Sequence, residues 1–215
     1  MMFFQTLLDL IFPRSCLNCH SRLDSSKILC EKCHTELEFN QEIIQSDEHI
    51  FDCAYAVYDF NEIIQPLIHE LKYNEMRNIA KFLGKQASKF ILENPTFPKI
   101  DYIIPVPLHK VKKRSRGFNQ AELLTKEISR NCNFTHLPKV MLRNRFTTTQ
   151  TQLGRIERHK NVSAAFDLRK AKIIQGKNIL LIDDVFTTGA TVNSISNVLK
   201  SNGVSRIIVL TIARA

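Results

Sequence analysis

The segment that most restricts this chain is the apolar run Ile179-Leu180-Leu181-Ile182, which passes directly into Asp183-Asp184-Val185-Phe186-Thr187-Thr188-Gly189-Ala190-Thr191. A short run of branched aliphatic residues bounded by polar ones predicts a strand buried on both faces, over residues 178–183. The pattern then predicts a helix over 191–199, stopped by Gly203, and a second buried strand over 206–212. Strand, helix and strand at this spacing make a right-handed crossover, so the chain is expected to be an α/β protein with a parallel sheet flanked by helices.

Ligands of open parallel sheets bind beyond the carboxyl ends of the strands, where Asp183 and Asp184 are expected to lie. Thr187, Thr188, Gly189, Ala190 and Thr191 would form the turn into the helix, offering hydroxyls and free backbone amides at a helix N-terminus. That chemistry suits a phosphomonoester. Two adjacent carboxylates suit vicinal ribose hydroxyls or a Mg²⁺ ion. Phosphate and diol sites in one loop describe a ribose 5-phosphate. An acidic strand end followed by a threonine cap would explain any two of these features but not the whole contiguous run.

Upstream, residues 51–60 read as an aromatic-rich strand, 63–73 and 79–92 as amphipathic helices, and Pro95 and Pro98 as a break. Residues 101–106 read as a buried strand, Asn119 as the opening of a helix carrying Ala121, Leu123, Leu124 and Ile128, and 140–142 as a short strand. From 143 to 161 no apolar period persists, and a polar excursion of that length is expected to be a functional lid or disordered.

Near the N-terminus, Cys16-x-x-Cys19 and Cys30-x-x-Cys33 are separated by ten residues. Two such knuckles place four thiolates around a structural Zn²⁺, closing the coordination shell and supplying folding energy that so small a segment lacks. Two disulfides are the alternative, disfavoured in a reducing compartment. His20 and His34 read as exposed polar neighbours, and Cys53 and Cys132 as small buried hydrophobes. Residues 1–50 are expected to be an N-terminal helix plus this zinc knuckle, and 51–215 the sheet domain. Residues 1–12 are apolar with Phe3, Leu7, Leu10 and Ile11 at helical spacing, but lack a basic n-region and the length of a membrane span. The expected location is the cytoplasm, with no transmembrane segment and with peripheral attachment at the inner membrane as the alternative.

The net charge of +9 is unevenly placed: residues 1–100 carry 10 basic and 14 acidic side chains, residues 101–215 carry 20 and 7. The C-terminal half is therefore expected to meet a polyanion. Lys110, Lys112, Lys113, Arg114 and Arg116 put five cations in seven residues just past the 101–106 strand, and Arg143, Arg145, Arg155, Arg158 and Lys160 add more on the excursion. Phosphates of one small ligand need only a few of these. The surplus favours a longer polyanion, with Phe118 or Phe146 able to stack on a base.

The run LIDDVFTTGAT resembles the phosphoribosyl pyrophosphate loop of type I phosphoribosyltransferases. Together with Pro105-Val106-Pro107-Leu108, Arg116-Gly117-Phe118-Asn119-Gln120, Thr149-Gln150-Thr151-Gln152-Leu153 and the cysteine knuckles, it resembles the ComF (ComFC-like) competence family over essentially the whole chain. The resemblance implies a type I phosphoribosyltransferase-like sheet in which Val106, Pro107, Leu108 and His109 contact pyrophosphate. It implies that Asp183 and Asp184 hold the ribose and any catalytic Mg²⁺, and that a loop within 145–161 closes over the ligand. It also implies a role with single-stranded DNA and the DNA-uptake machinery in natural transformation. Thr187 departs from purine-salvage members of the fold, which carry an aspartate there to handle the base proton. Ligand binding is thus a stronger expectation than turnover. A metabolic phosphoribosyltransferase and a non-catalytic sensor of phosphoribosyl pyrophosphate remain the other two readings.

Overall fold

The computed structural model describes residues 14–23, 27–73, 77–144 and 165–215. The expected helix at 1–12, the expected closing loop at 145–161, and with them Arg145, Phe146, Arg155, Arg158 and Lys160, lie outside the described residues.

After a short helix α1 (Glu31–Thr35) come β1 (Ile43–Ile44), β2 (Cys53–Asp59), α2 (Ile64–Tyr73), α3 (Arg77–Glu93) and β3 (Tyr102–Pro105). There follow α4 (Lys110–Arg116), α5 (Gln120–Cys132), β4 (Thr135–His136), β5 (Met141–Arg143), β6 (Phe166–Leu168), β7 (Asn178–Phe186), α6 (Ala190–Ser201) and β8 (Arg206–Arg214). Six strands form one sheet in the order β1-β2-β8-β7-β3-β4, and β5 pairs with β6 separately. Every neighbour in the large sheet is parallel except β1, which runs antiparallel to β2 at the edge.

Alternation along the buried strands splits the core in two. Leu180 and Ile182 of β7 pack on one side with Leu67 and Leu71 of α2, Leu83 of α3, and Leu124 and Ile128 of α5. Ile179 and Leu181 pack on the other side with Val192, Ile195 and Leu199 of α6, and with Met141 and Phe166 of the small sheet. These side chains are almost wholly buried, and each such aliphatic contributes about 1.5–3 kcal/mol of transfer free energy.

Two elements differ from the sequence expectation. The strand expected over 178–183 continues to Phe186, because its parallel ladder with β8 runs on through Val185↔Ala213 and Phe186↔Arg214. The cationic run at 110–116, expected to precede a helix, is itself helical. His109 starts α4 by accepting the Val111 N–H through Nδ1 at 3.3 Å, and Gly117 ends it at φ 77°, a left-handed conformation open to glycine without strain.

The Cys segment is seated on the sheet domain rather than hung from it. Cys16, Leu29 and Cys33 join the same apolar core as α2 and α3, and the His34 ring meets the Phe82 ring edge-on at 5.9 Å. No helix among the described residues is long and apolar enough to cross a membrane.

Candidate functional site

Chain order reverses at β3: the next strand of the large sheet, β4, lies on one side of it, and β7 on the other. A crevice opens at such a switch point, beyond the carboxyl ends of β3 and β7. Pro105 at the end of β3 pairs with Ile182, so the residues that follow on β7, Asp183 and Asp184, have no strand beside them on that side.

The two carboxylates alternate across the strand. Asp184 Oδ2 lies 3.3 Å from Lys72 Nζ at the end of α2, while Asp183 lies within the fields of Lys72 and of Arg143 on β5. The Asp184 N–H donates to Asp183 Oδ1 at 2.9 Å, which fixes their relative orientation. Both stand at the rim of β7, and Lys72 acts on each: through its ion pair with Asp184 and, ahead of Arg143, on the Asp183 carboxyl. Desolvation by the surrounding protein, followed by the neighbouring charge of Asp184, pushes the Asp183 carboxyl up to about 7. Lys72 and Arg143 pull it back only in part. An acidic pair so incompletely compensated fits Mg²⁺, whose charge would remove the remaining repulsion.

Past β7 the chain turns through Thr187, Thr188 and Gly189 into α6. Thr187 and Thr188 are exposed. Gly189 has φ 71°, and a Cβ there would come 2.9 Å from Phe186 Cζ, so this position excludes a side chain on both counts. The Thr188 hydroxyl accepts only a long 3.4 Å hydrogen bond from the Ala190 N–H, leaving that amide open to an anion at the helix N-terminus.

Beyond the carboxyl end of the neighbouring strand β3 is the 106–109 loop. Val106 is buried; its N–H donates to the Ile182 carbonyl at 2.8 Å and its carbonyl accepts from Asn119 Nδ2 at 3.0 Å. Asn119 also caps α5 through the Ala121 N–H. Val106 therefore anchors the loop with both backbone groups, and Pro107, Leu108 and His109 follow this anchor. On α4 no residue is buried. Lys113 forms an ion pair with Glu122 at 3.1 Å, and Arg116 lies over the Tyr73 ring at 5.3 Å from its centroid. Phe118 is half-buried.

Lys72, Tyr73 and His49 border this region without having stood out in the sequence. The His49 ring stacks on Phe51 at 4.5 Å and lies edge-on to Phe186, beside the turn into α6. A lysine at a helix end and a histidine in a polar stretch look like solvated residues until tertiary packing brings them to a strand end.

In the N-terminal segment, Cys16, Cys19, Cys30 and Cys33 bring their sulfurs within 4.8 Å of one another. A tetrahedral zinc with bonds of about 2.3 Å requires sulfurs about 3.8 Å apart, and Cys19 and Cys30 lie at 3.6 Å. The Cys33 N–H points to Cys30 Sγ at 3.5 Å, and Asn18 Nδ2 to Cys33 Sγ at 3.4 Å, as donors do around thiolates. Hydrogen bonds from Ser21 pull the Cys19 thiol down to about 6. The geometry is that of a structural zinc centre with four cysteine ligands, and no position is left for substrate.

Residues 83–215 match the phosphoribosyl transferase domain family, and residues 7–44 match the double zinc ribbon domain family. Competence protein F of Haemophilus influenzae is 30% identical over 207 residues, covering 93% of this chain and 90% of its own. This chain belongs to the ComF family. Within that family the DNA utilization protein YhgH of Escherichia coli K12 is also 30% identical, over 93% of this chain and 89% of its own. Competence protein ComFC of Bacillus subtilis is 31% identical over 69% of this chain and 58% of its own. The ComF-family assignment accounts for both halves of the molecule: a zinc ribbon seated on a phosphoribosyltransferase-type sheet.

Proposed function

We propose that this ComF-family protein binds phosphoribosyl pyrophosphate with Mg²⁺, and binds single-stranded DNA, in the handling of DNA during natural transformation. One observation carries the reading: the acid pair Asp183–Asp184 stands at the rim of the central strand and leads within three residues into the Thr187–Thr188–Gly189 turn at the start of α6. In this reading the carboxylates take the ribose hydroxyls and the metal. Thr187, Thr188, Gly189, Ala190 and Thr191 take the 5′-phosphate, and Pro107, Leu108 and His109 border the pyrophosphate. Mg²⁺, when bound, neutralises charge on the pyrophosphate oxygens. Thr187 has no acid–base capacity at neutral pH, so binding rather than base transfer is the activity proposed.

The DNA limb rests on α4, none of whose cations is buried, and on relatives named for competence and DNA utilization. Its test is the salt dependence of affinity for a labelled single-stranded oligonucleotide. Replacing Lys112, Lys113, Arg114 and Arg116 with alanine should weaken all sequences alike and flatten the log–log slope by about 0.7 for each phosphate that the variant no longer neutralises. An unchanged slope and affinity would remove α4 from the interface. Repeating the titration with saturating phosphoribosyl pyrophosphate reads whether the two ligands compete.

A further inference from the structure

Between the end of α2 and one face of α4 lies an open cleft of about 280 Å³ lined by Lys72, Tyr73, Lys112, Ser115 and Arg116. Lys112, Ser115 and Arg116 are three and four residues apart and so share one side of α4. The lining holds three cations and no acid. It adjoins the acid pair directly, because Lys72 both lines the cleft and reaches Asp184.

Its one aromatic member is the most exposed of the four tyrosines. Tyr55 and Tyr58 are buried and Tyr102 is half-buried, but Tyr73 is 61% exposed. An exposed aromatic ring flanked by a guanidinium, with further cations around it, is the arrangement that receives a splayed-out base and its phosphates. Arg116 over the ring and His69 beside it, at 4.9 Å between centroids, hold Tyr73 in place from α4 and from its own helix. Phe118, by contrast, has part of its ring covered.

We propose that Tyr73 is the stacking platform for a base of single-stranded DNA, with Arg116 flanking the base and Lys112 and Lys72 receiving its phosphates. This rests on the DNA limb of the function above and names the residue that makes that binding selective for single strands. A duplex keeps its bases stacked on one another and cannot offer one to Tyr73. Lys72 lines this cleft and pairs with Asp184, so a nucleotide bound here and the acid pair share that residue.

The test uses the full chain and two fluorescein-labelled probes of equal length, oligo(dT) and an abasic oligodeoxynucleotide, read by anisotropy. Tyr73→Ala should weaken oligo(dT) binding about 5- to 100-fold, leave the abasic probe unaffected and keep the salt slope, since no charge is lost. Tyr73→Phe should retain affinity. The chain has four tyrosines and no tryptophan, so tyrosine emission gives a second readout. Unlabelled oligo(dT) should quench it in the wild type and not in Tyr73→Ala. Equal loss for both probes, or oligo(dT) affinity unchanged in Tyr73→Ala, overturns the platform while leaving DNA binding intact. A wild type that binds neither probe overturns the DNA limb itself.

Discussion

Lys72 Nζ lies 3.3 Å from Asp184 Oδ2, linking the last turn of α2 to the rim of the central strand, with the two side chains 25% and 15% exposed. The lysine is the main cation given to the two adjacent carboxylates at this rim of the sheet. Removing it leaves their repulsion opposed only from the side of Arg143. Lys72→Met should cost about 1–2 kcal/mol of stability in the ligand-free protein at pH 8, a value discounted for partial exposure. The part of the loss that comes from Asp183 should disappear at pH 5, where its carboxyl, raised to about 7, is already protonated. Urea unfolding at the two pH values checks this; an equal loss at both would mean that Lys72 does not stabilise the protein through Asp183.

Asp183 itself sets a pH dependence. Its carboxyl is raised from 3.8 to about 7, first by desolvation and then by Asp184, so the folded chain holds this proton more tightly than the unfolded chain does. Stability from this group is therefore greatest below about pH 4 and falls as pH rises toward 7. Asp183→Asn keeps the acceptor for the Asp184 N–H but cannot ionise. In metal-free, ligand-free protein it should match the wild type near pH 4 and exceed it by roughly 2 kcal/mol at pH 8. Thermal melts across that range would contradict the account if the two proteins stayed parallel.

The zinc centre should hold one metal per chain, since four thiols fill a tetrahedral shell. Cys16 and Cys33 also belong to the core shared with α2 and α3, so losing the metal should reach beyond the knuckle. Cys16→Ser is expected to release zinc, lower solubility and open residues 14–44 to proteolysis, while the parallel sheet persists by circular dichroism. Elemental analysis well below one zinc in freshly purified wild type, with disulfides among these four cysteines, would refute the assignment.

Much of this architecture is legible in the sequence because its strongest signals are local. The β7–α6–β8 crossover follows from two aliphatic runs and the polar turn between them, Asn119 caps α5 as its position before an apolar helix predicts, and the cysteine spacing brings four sulfurs together. What the sequence hides depends on distant packing. The helix at 110–116 has one apolar residue, Val111, so it has no period to detect; His109 and Gly117 define its ends instead. β7 extends past the acids because β8 offers it partners as far as Arg214. That extension sends Asp183 and Asp184 to opposite sides, and it is the packing of α2 and β5 that supplies their cations. Tyr73 reads as the tail of an amphipathic helix until α4 lies against it.

Calorimetric titration of phosphoribosyl pyrophosphate into the full chain with Mg²⁺ tests most directly whether the rim of β7 and the turn into α6 bind that ligand. Saturable one-to-one binding that weakens when Mg²⁺ is chelated is expected. A loss of at least about 100-fold is also expected in the Asp183→Ala/Asp184→Ala double variant with its fold intact, since two charged hydrogen-bonding groups are removed. No binding to the wild type, or undiminished affinity in the folded double variant, would contradict that site.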